Sequence, residues 1–170
     1  MKTAIINSFK KLLNDTEIFH SNSTYFMALR NWLIDNLDSF DEELLIRNRL
    51  DSILNIDIND YMCNLIDHRP IVSPREVERI GKIEYDSIDG LLMVVSDTMW
   101  ELLSISSDEA CNNCGSISTR FVSVVADTRP YLFIECCDCG MIMDLNGISI
   151  QGKVSHICPA KKTDIEAILG

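Results

Sequence analysis

The sequence predicts an α+β protein, with an N-terminal α-helical body over residues 1–106 and a C-terminal antiparallel sheet with a short closing helix over residues 107–170. Three observations carry the prediction. As far as Leu102, apolar side chains recur every three or four positions, the period that gives a helix one buried stripe. Beyond Cys114 that period gives way to short runs rich in β-branched residues, separated by turn signals. At the change of period, and again one hairpin later, stands the same kind of turn: Cys111-Asn112-Asn113-Cys114-Gly115 and Cys136-Cys137-Asp138-Cys139-Gly140.

Taken in order, residues 2–14 read as a first helix with Ile5, Phe9 and Leu12 or Leu13 turned inward. A polar break over residues 20–24 precedes a second helix. Its stripe is Phe26, Leu29, Leu33, Leu37 and Phe40, widened by Tyr25 and Trp32. A third helix is expected from near Ser39, because Ser39 and Glu42 have the spacing of a capping box. Ile46, Leu50 and Ile53 would form its inner face. Residues 57–67 suggest a short fourth helix around Tyr61, Met62 and Leu65. Ser73-Pro74-Arg75-Glu76 opens another, with proline at the first helical position. Residues 81–89 carry no clear period and are compatible with an extended connection. Leu92, Val95, Met99 and Leu102 then pattern a helix, and Ser106-Ser107-Asp108 reads as the joint between the two halves.

In the second half, residues 117–125 and 131–136 read as strands around the turn Asp127-Thr128-Arg129-Pro130. Residues 141–145 and 148–150 flank Asn146-Gly147, a favoured two-residue hairpin turn. Three or four short antiparallel strands are expected. Thr163-Asp164-Ile165-Glu166 caps a final helix. A sheet this small holds its shape poorly without help.

At 170 residues the chain makes one good-sized domain, or two small ones sharing a core. No apolar run approaches the roughly 20 residues of a membrane span. The first residues lack the apolar centre and cleavage site of a signal peptide, so a cytoplasmic protein is expected. Seven cysteines, an odd number in paired spacing, argue against a complete disulfide framework and for metal. The net charge is −11, and 20 of the 26 acidic side chains but only 10 of the 15 basic ones lie in residues 1–110. That surplus would repel phosphate backbones and anionic membranes. It is compatible with a basic protein partner, and equally with plain solubility.

The cysteine turns carry the chemistry. Two residues between cysteines let a tight turn aim both sulfurs inward with its amides facing them, and the following glycine permits the positive φ that closes it. Two such turns supply four sulfurs to one tetrahedral ion, zinc being the default. The pattern resembles the zinc ribbons found across nucleic-acid machinery and small adaptor proteins. The match runs from Cys111 to about Ile150, a quarter of the chain. The resemblance implies a structural Zn²⁺ held by Cys111, Cys114, Cys136 and Cys139. This chain departs from the common form in lacking a proline in the first turn and in carrying an extra thiol, Cys137. With Cys137 as ligand the second pair would enclose a single residue, a tighter bite, so Cys136 is preferred.

A redox dithiol is the rival reading of the pairs. Ribbon spacing without a strand-then-helix setting argues against it. Cys63 and Cys158 are most simply small buried side chains, and nothing completes a second metal site from His156 and Cys158. Cys63 and His68 are poorly spaced for a nucleophile and its base. The chain has no His-Glu-x-x-His, phosphate-cradling glycine loop or Gly-x-Ser-x-Gly, which points to a non-enzymatic protein. On the predicted strands Arg120, Arg129, Lys153, Phe121, Tyr131 and Phe133 are interleaved with Asp127, Glu135, Asp138 and Asp144, so no basic stripe supports nucleic-acid binding.

The acidic cluster Asp35, Asp38, Asp41, Glu42 and Glu43 surrounds one helix joint. It is a solvated, capping-rich corner or, more sharply, a docking surface for a basic protein. In size, charge and lack of catalytic motifs the chain resembles bacterial immunity proteins, which neutralise a nuclease-type toxin by covering its basic active site. That resemblance is of type and transfers no residue. The alternative is a zinc-ribbon regulatory or adaptor protein of transcription or repair machinery.

Overall fold

The computed structural model describes residues 2–61, 80, 85–126, 129–150 and 157–169. It is α+β, with helices in the N-terminal part and a five-stranded antiparallel sheet in the C-terminal part. The chain forms two compact units. Among the described residues the first holds those up to Ile56 and from Ile80 to Leu102, and the second holds residues 57–61 and those from Leu103 onward.

In the first unit, α1 (Lys2–Leu13) buries Ile5, Phe9 and Leu13 and carries Lys10 and Lys11 in its last turn, where they favour the helix dipole. Helix α2 (Asn22–Asp35) starts inside the expected polar break, because Ser21 caps it by accepting the Thr24 N–H at 3.0 Å. Its buried face is Tyr25, Phe26, Leu29, Trp32 and Leu33. The Trp32 indole N–H donates to Ser8 Oγ at 2.9 Å and its ring packs 5.1 Å from Phe9, which ties α2 to α1.

The stripe does not continue to Phe40 in one helix. The Asn36 side-chain amide donates to the Trp32 carbonyl at 2.7 Å, and its backbone N–H bonds back to Leu33, so α2 closes there. Leu37–Ser39 is a 3₁₀ turn, and Phe40 is still buried, 6.0 Å from the Trp32 ring. The third helix is also broken. It forms as α3 (Glu42–Arg47) and α4 (Leu50–Leu54), separated by Arg49 in the left-handed region at φ 57°. The Ser39–Glu42 capping box does not form, since the N-cap residue is Asp41. The break rotates one set of side chains out of register. Leu50 and Ile53 are buried as expected, but Ile46 is 55 % exposed.

Arg30 holds the end of this segment, with its guanidinium donating to the carbonyls of Ile56 (3.2 Å) and Leu54. Beyond it, within the span of the expected fourth helix, Ile58–Asp60 is a 3₁₀ turn followed by buried Tyr61; residues 62–67 of that span and the Ser73–Glu76 helix start lie outside the described residues. Helix α5 (Ile88–Leu103) buries Leu92, Val95, Met99 and Leu102, the expected stripe, and Leu91 and Leu103 as well.

In the second unit the strands are β1 (Ile105–Ser106), β2 (Thr119–Ala126), β3 (Arg129–Cys136), β4 (Ile142–Met143) and β5 (Ile157–Pro159), followed by α6 (Lys162–Leu169). Their order is β1-β2-β3-β4, with β5 also paired to β2. Ser106, read from sequence as part of a joint, pairs with Arg120 instead. β1 and β5 are too short to show a period, and they are strands only because β2 offers them an edge. Pro130 lies opposite Val125 and, having no N–H, donates no ladder hydrogen bond. Thr119 lies opposite Cys136, which brings both cysteine turns to one end of the β2–β3 hairpin. Beneath them is a core of Ile105, Phe121, Leu132, Ile134, Met143 and Ala160 that also includes Cys111 and Cys136.

Leu50 and Ile46 are one helical turn apart in sequence but differ fully in burial. Leu50→Ala is expected to cost about 2–5 kcal/mol in urea unfolding followed by far-ultraviolet circular dichroism. Ile46→Ala is expected to change it by no more than about 0.5 kcal/mol.

Candidate metal centre

The two cysteine turns are built alike. In the first, the Cys111 N–H donates to the Ser116 carbonyl and the Gly115 N–H to the Cys111 carbonyl, both at 2.8 Å. In the second, the Cys136 N–H donates to Met141 and the Gly140 N–H to Cys136, both at 2.9 Å. Gly115 (φ 74°) and Gly140 (φ 69°) occupy the left-handed position that closes each turn. In each, the N–H two residues past the second cysteine, from Ser116 or Met141, donates to that cysteine's sulfur.

The four sulfurs of Cys111, Cys114, Cys136 and Cys139 all lie within 4.8 Å of one another. The nearest pairs run across the turns, Cys111 to Cys139 and Cys114 to Cys136, each at 3.6 Å. A disulfide needs about 2.05 Å. Four bonds of about 2.3 Å at tetrahedral angles place sulfurs about 3.8 Å apart, so the set fits one metal ion. It is the one cluster of potential metal ligands among the described residues. In each turn the first cysteine is buried and the second exposed, so one side of the set faces the core and the other faces water.

Side chains that the motif does not specify complete the site. The Asn113 amide donates to the Cys139 sulfur and, with the Met141 N–H, draws that thiol down to about 6. Cys114 goes the other way. The Ser116 N–H favours its thiolate, but desolvation and hydrogen bonds shared with Cys136, Cys139 and Cys111 push it up to about 12. One thiolate forms readily and another is held back, because adjacent sulfurs cannot all ionise without a cation to offset them. Ser116 Oγ donates to Asp138 at 2.5 Å, linking the two turns.

Asn112 ties the first turn to the 142–150 hairpin, donating from Nδ2 to the Gly147 carbonyl at 2.7 Å. That hairpin differs from the expected two-residue turn. Asp144 pairs with Ile148 across a three-residue loop, Gly147 takes φ 77°, and Asp144 Oδ1 accepts the N–H groups of Asn146 and Ile148. A Cβ at Gly147 would stand 2.4 Å from Asn112 Nδ2 and would displace that side chain, and the positive φ disfavours any other residue there.

The remaining candidates are placed as follows. Cys136, not Cys137, belongs to the sulfur cluster, and Cys137 is exposed beside it. Cys158, expected to be buried, is half-buried on β5 opposite Ser123. Cys63, His68 and His156 lie outside the described residues. Asp35, Asp38, Asp41, Glu42 and Glu43 are all exposed, and among the described residues none forms an ion pair. Asp41, Glu42 and Glu43 stand at the start of α3, where the helix dipole favours them. Asn112 and Asn113 escaped sequence analysis, and their one signal was two amides inside a metal-type turn. Among the described residues no helix is long and apolar enough to cross a membrane. Comparison with protein-family models, curated proteins and solved structures gives no match to this chain.

In metal-free protein, one thiol is expected to ionise near pH 6 and react with iodoacetamide above it, the reaction fading as pH falls through that value. Asn113→Ala should shift this titration upward, with Cys139 identified as the modified residue by mass spectrometry.

Proposed function

We propose that Cys111, Cys114, Cys136 and Cys139 hold a structural Zn²⁺ in a zinc-ribbon arrangement. The protein then works in the cytoplasm without catalysis, by binding a basic protein. The spacing of the four sulfurs carries the first part. Four thiolates fill a tetrahedral ion, leaving no position for substrate or water. Iron–sulfur clusters, whose ligands embrace several metal atoms, would need the sulfurs farther apart. The ion, when bound, supplies a fastening between the two turns. The chain's own amides, from Ser116, Met141 and Asn113, then share the negative charge on the sulfurs.

The exposed, unpaired carboxylates of the helical unit support the second part. Two cations of the unit are already engaged: Arg30 caps carbonyls, and Arg47 pairs with Asp89 at 3.1 Å. Asp35 ends α2 and so serves no helix start, while Asp38 lies in the first turn of the 3₁₀ segment Leu37–Ser39. Among acidic binders we favour an immunity protein, whose carboxylates take the place of nucleic-acid phosphates on a nuclease-type toxin. The repulsive net charge argues against nucleic acid as the direct partner.

Metal analysis of the purified protein is expected to find one zinc per chain. Cys114→Ser with Cys139→Ser should abolish it and the ordered signals of the sheet; a metal-free sample with that sheet intact sinks the assignment. Affinity capture from the native host is expected to yield a basic partner. Its association should slow as salt rises, and should fall about tenfold or more in Asp35→Asn/Asp38→Asn at low salt with dissociation little changed. Capture indifferent to salt and to these substitutions overturns the docking reading.

A further inference from the structure

Between the first cysteine turn and the 142–150 hairpin, the second unit contains a cavity of about 200 Å³. Its floor is Ile134 and Met143, both buried, with half-buried Leu145 beside them. Its rim carries Glu109, Asn112 and Asn146, all exposed. The volume falls below the roughly 300–1,000 Å³ of pockets for drug-sized ligands and cofactors, and it suits one long side chain.

The lining has the chemistry for a cation. Among the described residues no lysine, arginine or histidine lines the cavity and no ion pair engages the Glu109 carboxylate. Glu109 projects from a fixed point: its carbonyl accepts Thr119 Oγ1 at 2.6 Å and its N–H donates to Ser107 Oγ at 3.3 Å. Asn112 is held through Nδ2 on Gly147, which leaves its side-chain oxygen to accept. Two lining residues, Ala110 and Asn112, flank Cys111, and a four-thiolate centre remains net negative with a divalent ion bound.

We propose that this cavity receives an arginine side chain of a protein partner. The aliphatic stem lies on Ile134, Met143 and Leu145, and the guanidinium meets the Glu109 carboxylate and the amide oxygens at the rim. Arginine suits the site better than lysine because its flat fork offers donors in several directions at once. The assignment rests on reading the protein as a receptor for a basic protein. It adds a contact point on the sheet unit, separate from the carboxylates of the helical unit.

The test is a titration of the full-length, zinc-loaded protein with Nα-acetyl-arginine amide, followed by amide ¹H–¹⁵N spectra, with Nα-acetyl-norleucine amide as the apolar control. Saturable shifts are expected at Ala110, Asn112 and residues 145–147, with little response to norleucine. Glu109→Gln should weaken binding about tenfold, the worth of a charge-assisted hydrogen bond. It should leave the spectrum otherwise intact, because both of the residue's hydrogen bonds use its backbone. Scattered shifts, an equal response to norleucine, or undiminished binding in Glu109→Gln each overturn the assignment. The probe is a single residue, so its failure leaves the acidic-cluster reading standing, while salt-independent capture would sink that reading alone.

Discussion

Repulsion among four sulfurs brought within 4.8 Å of one another is the constraint around which the second unit is arranged. Crowded thiols resist ionising together, and the opposed behaviour of Cys139 and Cys114 expresses that resistance. The chain answers it with oriented amides on the outer sulfurs and an apolar bed beneath the inner ones. Cys111 and Cys136 belong to the same core as Phe121, Ile134 and Met143. Order at the sulfur cluster and order in the sheet are therefore one property. Strands as short as β1 and β4 gain little from their own pairing. β1 is placed by its pairing with β2, and β4 by its pairing with β3.

The helical unit answers to a different force. Its stability rests on burial of aromatic and branched side chains along α1, α2 and α5, and its polar groups serve chiefly to end helices. Ser21, Asn36 and Arg30 each satisfy backbone groups that a helix terminus leaves open. Acidic side chains outnumber basic ones two to one in residues 1–110, so the unit shows water a surplus of carboxylate.

Helix by helix, agreement with the sequence follows the reach of the forces involved. Ile5 and Phe9, or Leu92, Val95 and Met99, announce a buried face because a helix repeats it locally. Ile46 misled because its spacing to Leu50 and Ile53 is helical, while the backbone between them is not. Nothing in the letters reveals that Arg49 takes a left-handed φ. The same holds for the stripe that runs past Asn36, whose side chain can cap a helix or sit within one. At the metal site, the spacing and the glycine of each turn were legible. The contribution of Asn113 to Cys139 was not, because it joins one turn to the other.

The sequence by itself determined the α+β division, the two congruent turns and three of the four sulfurs, Cys111, Cys114 and Cys139, since each depends on residues close together along the chain. Tertiary structure alone decided that Cys136 rather than its neighbour faces the cluster. It also decided that β1 and β5 exist, and that Asn112 reaches Gly147 and helps enclose a cavity with Glu109 at its rim. Each of these depends on a partner distant in sequence, and short-range propensity carries no information about which distant group will arrive.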